Sequence, residues 1–541
     1  MKTKFLHIAA ALLFTGFASS CSDFLDRTPL EDLSDSSFWK TESDAMMAVS
    51  NLYGALPTWD VDNDINSDNC VHGIKWAAGN VSKGVYVASD QSWSGSYGYL
   101  RQANLVLEKV QEMELSEESR RKILGQAYFF RAFIYFDLIR SFGDVPYIEK
   151  PLNLSDVEGI TRTPRTEVYA KLMADFDKAI EYLPEEWNAE NKERVTKGAA
   201  LAMKARAALY YSDWQIAADC SKKVIDMGRY ELYDAANTGL YKELFWEKTD
   251  GCSENILYVQ FNAPQKTHYL IGWECFPTLG WGGINPTQSL VDAFEDIEGA
   301  PIAESKIYDE KNPFANRDPR LEVNVLHDGE VMYGKTIKVK PLKSSGDTGI
   351  GQHGDATATG YYQQKWLDPN IDPQSTGWDM GKDWVNIRYA EVLLTYAEAK
   401  NELEGLSSDA FSAVNQVRSR VGMPALQNTD ASKPTYCGSQ DALRKRIWNE
   451  WRVEFAMEGG KRMWDIRRWG IAKEVLNAPF YGIKMKPVEK NGEIVDYILY
   501  EGDYTKLAGS HYEDHNYIFP VPQTELDLNP ALGQNPGYGS K

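Results

Sequence analysis

The sequence predicts a mainly α-helical fold in which helical pairs stack on one another, with irregular loops and small β inserts between them. Three observations predict it. The stretch from Gly125 to Arg140 is apolar nearly all round, as a helix buried in the core of a large protein is. Twice, at Lys197–Met227 and at Ile387–Arg420, two helical stretches meet at a short turn, with alanines where backbones would approach closely; that is the layout of a tetratricopeptide pair. Finally, 541 residues of which 43% are hydrophobic and 12% aromatic are ample for a sizeable core, so disorder is not expected.

The chain begins with its own address. Lys2 and Lys4 precede the apolar run Phe5–Phe17, and Ala18-Ser19-Ser20 puts small residues before Cys21, the pattern of a secretory signal. A plain signal peptide would release a soluble protein, but a cut before Cys21 leaves a thiol at the new N-terminus. Residues 1–20 therefore read as a lipoprotein signal peptide, Cys21 as the lipidation site and 21–40 as a lipidated tether. Each buried methylene contributes about 0.8 kcal/mol and one chain holds a protein only marginally, so a multiply acylated cysteine is what keeps a protein on a bilayer. No later stretch reaches the run of about 18 apolar residues that a spanning helix needs.

Residues 41–230 read as an N-terminal helical part. Thr41-Glu42-Ser43-Asp44 is a capping-box pattern, and Ala45, Val49, Leu52 and Tyr53 follow at helical spacing, giving a helix to about Ala55. From Thr58 to Tyr97 Asp, Asn, Ser and Gly are dense, with Trp59, Trp76 and Trp93 among them; a loop this long is usually functional or disordered, and the tryptophans favour function. Asp60, Asp62, Asp64, Asn66 and Asp68 alternate as ligands of a structural calcium would, but the glycine and closing glutamate of an EF-hand are missing. Helical periodicity resumes at Tyr99, with Leu100, Ala103, Leu107 and Val110 on one face. The Gly125–Arg140 helix then ends at Ser141–Pro146, an amphipathic helix covers Arg165–Leu183, and the first pair follows, carrying Ala199, Ala202, Ala205, Ala208, Ala217 and Ala218.

Residues 231–541 read as a second part with loops and further helical pairs. Asn255–Phe261 has the composition of a strand. The stretch His268–Pro286 sets Trp273, Phe276 and Trp281 among Gly272, Gly280, Gly282 and Gly283, before a short helix at Gln288–Phe294. Arg317–Arg320 and Lys335–Tyr362 read as turns and extended pieces, and Tyr389–Ala399 with Ala410–Arg418 forms the second pair. In Arg446–Trp469, Glu450, Glu454 and Glu458 stand four apart, with Arg462, Asp465 and Arg468 just past Gly459-Gly460. That density is a buried ion network or a catalytic cluster, and networks are the commoner.

Composition narrows the function. A net charge of −20 argues against nucleic acid, whose recognition needs basic patches. Besides Cys21, the cysteines Cys70, Cys220, Cys252, Cys275 and Cys437 show no short spacing, which speaks against a disulfide framework or a zinc site; Cys252 with Cys275 is the one pairing left open. The 16 Trp and 30 Tyr leave a surplus for a surface, where flat rings with polar tips bind sugars or proteins. No nucleophile elbow, HExxH or P-loop pattern is present.

Five stretches, in order, resemble the SusD/RagB family of Bacteroidetes outer-membrane lipoproteins: Cys21 with Ser22-Asp23-Phe24-Leu25-Asp26, Gln126–Ala132 with Phe142–Pro146, Tyr389–Ala399, Glu458–Arg462 through Arg468-Trp469-Gly470, and Phe519-Pro520-Val521-Pro522. Trp451 stands where that family usually has a second basic residue between Glu450 and Arg452, and it reads as a surface change. The resemblance implies a SusD-like tetratricopeptide scaffold and a non-enzymatic, surface-exposed protein that captures oligosaccharide and caps a TonB-dependent barrel of the SusC type. It implies a membrane anchor at Cys21, with Asp23 and Asp26 similar to the signals that send such lipoproteins to the outer face, and no cofactor. It also implies an aromatic ligand arc built from an early loop and a mid-chain loop, here Trp76 and Asn80, extended to Trp93, together with Trp273, Phe276 and Trp281. Pyranose rings lay apolar C–H faces on such rings. Trp273 and Trp281 sit among glycines, and exposure and core packing both remain open for them; Trp93 favours packing, because Tyr97, Leu100 and Asn104 follow it at helical spacing. Two other readings stand beside this one: a surface glycoside hydrolase, which needs two carboxylates about 5–9.5 Å apart, and a purely scaffolding repeat protein whose aromatic loops are packed.

Overall fold

The computed structural model describes residues 38–58, 61–73, 84–152 and 159–539, with backbone alone at 61 and 62. Cys21, Trp76 and Asn80 lie outside the described residues. Helix α1, Glu42–Leu52, starts with the expected capping box: the Thr41 hydroxyl accepts the Asp44 N–H at 3.2 Å and the Asp44 carboxylate accepts the Thr41 N–H at 2.7 Å. A 3-10 turn, Tyr53–Ala55, extends it. Helix α2, Ser94–Glu112, begins before the expected Tyr99. Its first turns, with Gly95 and Gly98, carry no apolar stripe to announce them, and the buried Trp93 immediately before them anchors the start.

Helix α3, Glu117–Phe142, is buried over nearly all of its length from Ile123 onward and stops at Gly143, whose φ of 75° a side chain would strain. It packs against α4, Arg165–Tyr182. The pair α5, Lys197–Tyr210, and α6, Trp214–Asp226, follows, its interfacial alanines fully or almost fully buried. Helices α7, Tyr389–Glu404, and α8, Ser408–Ser419, form the second expected pair. Because α7 also lies on α5 and α6, the two pairs stack although far apart in sequence. Helix α9, Gln440–Glu454, packs on α7, and α10, Lys461–Arg468, follows the Gly459-Gly460 break. One core runs through α1–α9 and reaches Leu532 near the end of the chain.

The β structure is small. Strand β1, Cys70–His72, lies within the stretch expected to be one long loop and pairs antiparallel with β3, Ile284–Pro286. Strand β2, Asn255–Val259, expected from composition, pairs antiparallel with β4, Trp384–Arg388. Sequence reading missed a three-stranded antiparallel sheet, in which β5, Tyr481–Lys490, lies between β6, Glu493–Leu499, and β7, Asp503–Lys506. Its signal was the Asn491-Gly492 turn, both residues at positive φ (55° and 81°), as the tightest hairpins require.

The charge cluster around α9 is a buried ion network. Glu454 accepts from Arg388 at 2.6 Å, from Arg320 at 2.9 Å and from Arg420. Arg320 also binds Asp318 (2.7 Å) and Glu450 (2.5 Å), Arg388 binds Glu254 and Glu458 (both 2.8 Å), and Arg418 joins Glu450 to Glu295 (both 2.9 Å). Lys365 donates to Glu458 at 2.5 Å. Burial alone would raise the Glu454 carboxyl, but Arg420, Arg388 and Arg320 outweigh it and hold it well below the ordinary carboxylate range. Every acid of the cluster is thus committed to a cation, which favours the structural reading over a catalytic one.

Trp451 is not a surface change: it is 4% exposed, its ring 5.3 Å from Phe455 and under the Arg468 guanidinium at 5.5 Å, because that face of α9 turns into the core. Cys70, Cys220, Cys252, Cys275 and Cys437 are all free, so Cys252 and Cys275 do not pair. In the acidic alternation, Asp64 accepts the Met457 N–H at 2.5 Å and Asp68 is held by Arg452 and Arg462, both at 2.8 Å; Asp60 lies outside the described residues.

Replacing Glu454 by leucine leaves three buried guanidinium groups short of a partner, and urea unfolding should show a loss of about 3–5 kcal/mol. Lys445→Ala, which breaks an exposed pair with Asp441, should stay within about 1 kcal/mol. The folded-state pKa of Glu454 is depressed, so its contribution is complete above the unfolded carboxyl value of about 4.3 and is lost as pH falls below it. The stability difference between wild type and the Glu454→Leu variant should therefore shrink as pH falls below about 4.3; a difference that does not change with pH there contradicts the assignment.

Candidate functional site

The glycine-rich stretch builds an aromatic patch. A short helix, Leu270–Glu274, carries Trp273. Beyond it the chain folds back through three backbone bonds: Trp281 N–H to Gly272 O (3.0 Å), Gly282 N–H to Cys275 O (2.7 Å) and Gly283 N–H to Trp273 O (2.8 Å). The rings of Trp273 and Trp281 consequently meet edge to face at 5.7 Å. A third ring, Trp378, arrives from a distant loop and lies 5.1 Å from Trp281. Its indole N–H donates to Leu279 O at 2.8 Å. Reciprocal backbone bonds between His268 and Met380, both 3.0 Å, and a Thr267 hydroxyl bond to Asp379 at 2.9 Å clamp the two loops together. Burial lowers the His268 imidazole below its ordinary value.

Glycine is required where rings approach backbone. A Cβ on Gly272 would lie 2.5 Å from the Trp378 ring, and one on Gly283 2.7 Å from the Trp273 ring. Trp378 itself holds φ at 72°, a left-handed conformation that a bulky residue keeps only when its surroundings over-determine it, and such strain gathers at functional sites. At the centre, Trp281 is 39% exposed, and Tyr269, just ahead of the short helix, is 50% exposed. Trp273 and Trp378 are half-buried behind them. The arrangement is a fixed platform with one indole presented to solvent.

Trp273 and Trp281 thus come together as expected, the second as a surface ring. Phe276 does not join them. It is fully buried, 6.2 Å from Tyr362, because the fold-back turns it inward while sending the tryptophans outward. Trp93 is 3% exposed and wedged between Tyr97 (5.7 Å) and Phe142 (5.3 Å), so it is core. Trp378 was missed, yet a signal existed: the chain's three Gly-Trp dipeptides, Gly272-Trp273, Gly280-Trp281 and Gly377-Trp378, all converge here. The early loop reaches the same place. The β1–β3 pairing continues in a Gly73 N–H bond to Gly283 O at 3.1 Å, so the chain leading to Trp76 and Asn80 leaves the described residues beside the platform. Among the described residues no group of three metal-ligating side chains is present.

Comparison with known proteins places this architecture. A family model described as the SusD family matches residues 249–538, and one described as starch-binding and associating with the outer membrane matches residues 23–209. SusD-like protein P2 of Formosa agariphila is 26% identical over 99% of this chain and all of its own. A crystal structure of a SusD-like protein from Bacteroides fragilis superposes with a TM-score of 0.80 at 27% identity, over 95% of this chain and all of that one. A SusD-like carbohydrate binding protein from the same organism gives a TM-score of 0.77 at 26% identity, over 92% of this chain and all of that one.

The different fates of the candidate rings are measurable. Phe276→Ala should cost about 3–5 kcal/mol in denaturant unfolding, the usual loss for a buried phenyl, whereas Trp281→Ala should cost no more than about 1 kcal/mol. Equal losses would mean that Trp281 is part of the core.

Proposed function

Because this chain belongs to the SusD family, whose model matches more than half of it, we propose that it is a cell-surface lipoprotein that captures an oligosaccharide on the Trp273, Trp281 and Trp378 platform and serves as the lid of a SusC-like TonB-dependent transporter in the outer membrane. The observation that carries the reading is the convergence of three Gly-Trp dipeptides on one patch with Trp281 outward. A pyranose lays its C–H face on an indole while its hydroxyls seek polar partners, and rings already fixed in place lose little entropy on binding. Asp379 stands at the patch edge. From Gly73, three residues of chain span at most about 11 Å and seven about 25 Å, so Trp76 and Asn80 can add a ring and an amide to the same surface.

Binding without cleavage suits the distribution of acids. Hydrolysis needs a free acid and a second carboxylate across a cleft, while the densest acids of this chain are consumed by arginines in the core. Lipidation of Cys21 would hold the body beside its barrel at high effective concentration through each opening and closing. The family-model description of association with the outer membrane supports that placement.

A glycan panel applied to purified protein should show retention of at least one oligosaccharide without release of new reducing ends. Trp281→Ala and Trp378→Ala should each weaken it by about tenfold or more, since a central aromatic anchor contributes upwards of about 1.4 kcal/mol. Unchanged retention in both variants would remove the platform, and product release would make the protein a hydrolase. Mild detergent extraction should bring a SusC-like barrel along with the wild-type protein. Cys21→Ser should end membrane delivery and leave glycan retention intact.

A further inference from the structure

The charge around the tryptophan platform narrows what it can hold. Three segments form the patch. Residues 267–283 carry Trp273 and Trp281, residues 372–380 carry Trp378, and residues 353–358 abut Trp281 from the side, since a Cβ on Gly282 would lie 2.7 Å from the Asp355 carbonyl oxygen. None of the three contains a lysine or an arginine. Acids stand beside the rings instead. Asp379 directly follows Trp378 and accepts the Thr267 hydroxyl at 2.9 Å. Asp372, which is exposed, opens the turn that the Trp378 N–H closes with a 3.0 Å bond to Pro373 O. Asp355 and Asp379 are half-buried.

The cations that flank these segments are engaged elsewhere. Lys382 donates to Asp250 at 2.5 Å, and the Lys266 ammonium lies 4.7 Å over the Phe261 ring. His353 stands 3.7 Å from Asp355. The early loop adds Lys75 and Lys83, outside the described residues, and set against these two are the three carboxylates and a net charge of −20 for the whole chain. Recognition of a uronate or a sulfate relies on arginine or lysine. A carboxylate, by contrast, accepts hydrogen bonds from sugar hydroxyls. The Trp281 and Trp378 rings are 5.1 Å apart and neighbouring residues are about 3.8 Å apart. A sugar on Trp281 therefore stands well inside the screening length of about 30 Å at 10 mM salt from Asp355 and Asp379, and at a distance comparable with the 8 Å of physiological salt. Each negative charge on that sugar is repelled, and on a polyanion the repulsions add.

We propose that the platform selects for glycans without carboxylate or sulfate groups, with Asp355, Asp372 and Asp379 as the residues that turn anionic sugars away; the proposal rests on the glycan-binding reading above.

Two measurements on the whole mature chain test it, both at about pH 8, where an ordinary histidine is uncharged. The first needs no glycan. The chain is labelled with 5-fluorotryptophan, the Trp281 fluorine signal is assigned through Trp281→Phe, and its broadening by a cationic amino-nitroxide is compared with that by an anionic carboxy-nitroxide. In about 10 mM salt the cation should broaden it about twofold more or better, and the double variant Asp355→Asn, Asp372→Asn should shrink that ratio. The second is affinity electrophoresis through amylose, laminarin, galactan and galactomannan, each before and after oxidation of its primary hydroxyls to carboxylates. At least one neutral polysaccharide should retain the protein, and its oxidised form should do so about tenfold less in low salt, a gap that closes as salt rises and narrows in the double variant. Equal broadening by the two nitroxides, an oxidised polymer retained as well as its neutral parent, or a gap indifferent to salt or to the double variant overturns the proposal. Retention that Trp281→Ala abolishes but oxidation leaves unchanged refutes the charge selection alone. Retention that survives Trp281→Ala, or no retention by any of the four, removes the platform reading and the selection with it.

Discussion

The rest of the structure depends on one carboxylate. Glu454, at the end of α9, is shared by Arg320, Arg388 and Arg420, and through them by Asp318, Glu254, Glu450 and Glu458. These residues come from five stretches of the chain: the segment before β2, the turn at 318–320, the end of β4, the end of α8, and α9 with the turn that follows it. A buried ion without its partner costs several kcal/mol, while a complete network gains little over a well-packed apolar core. Such a cluster therefore adds little net stability and penalises every incomplete assembly, so its effect is on which arrangement is allowed. The loops that lack regular structure are held in register with the helices by this penalty.

The tryptophan platform is tied to a strand that the network anchors. Arg388 closes β4 and precedes α7, so fixing its guanidinium fixes the ladder of β4 with β2. Ahead of β4 the chain runs back through Asp383, which accepts the Phe261 N–H at 3.0 Å, to Met380 and Trp378. The positive φ of Trp378 and the close ring approach at Gly272 are tolerable because rigid elements hold both ends of the loop.

How much of this was legible follows from where periodicity exists. The helical pairs could be read because alanines and apolar residues recur at helical spacing, and α1 could be read to its cap because Thr41 and Asp44 act within one turn. The start of α2 could not, since Ser94–Gly98 show no stripe and long-range packing of Trp93 decides it. The ion network was legible only as a density of charge on α9. Its partners Arg320, Arg388 and Arg420 are remote in sequence, and nothing local marks them as buried. The same limit governs the rings: periodicity is silent about loops, so Phe276 and Trp281 looked alike although the fold-back separates their fates. Trp451 misled for a related reason, because a helix position between two charged neighbours looks exposed when those neighbours are themselves buried. Trp378 carried the one local cue that survives, a tryptophan preceded by glycine.

The glycines of this region act across the patch and not on the ring that follows them: Gly272 leaves room for Trp378, and Gly283 for Trp273. On the proposed reading, single platforms of this kind bind weakly, because one pyranose face offers limited apolar area. A long glycan offers many equivalent units to one platform, so a unit that leaves Trp281 is replaced by its neighbour at an effective concentration set by the length of chain between them. Retention then grows with oligosaccharide length, while each contact still opens quickly. A protein that must capture long chains and surrender them to a transporter needs both properties at once.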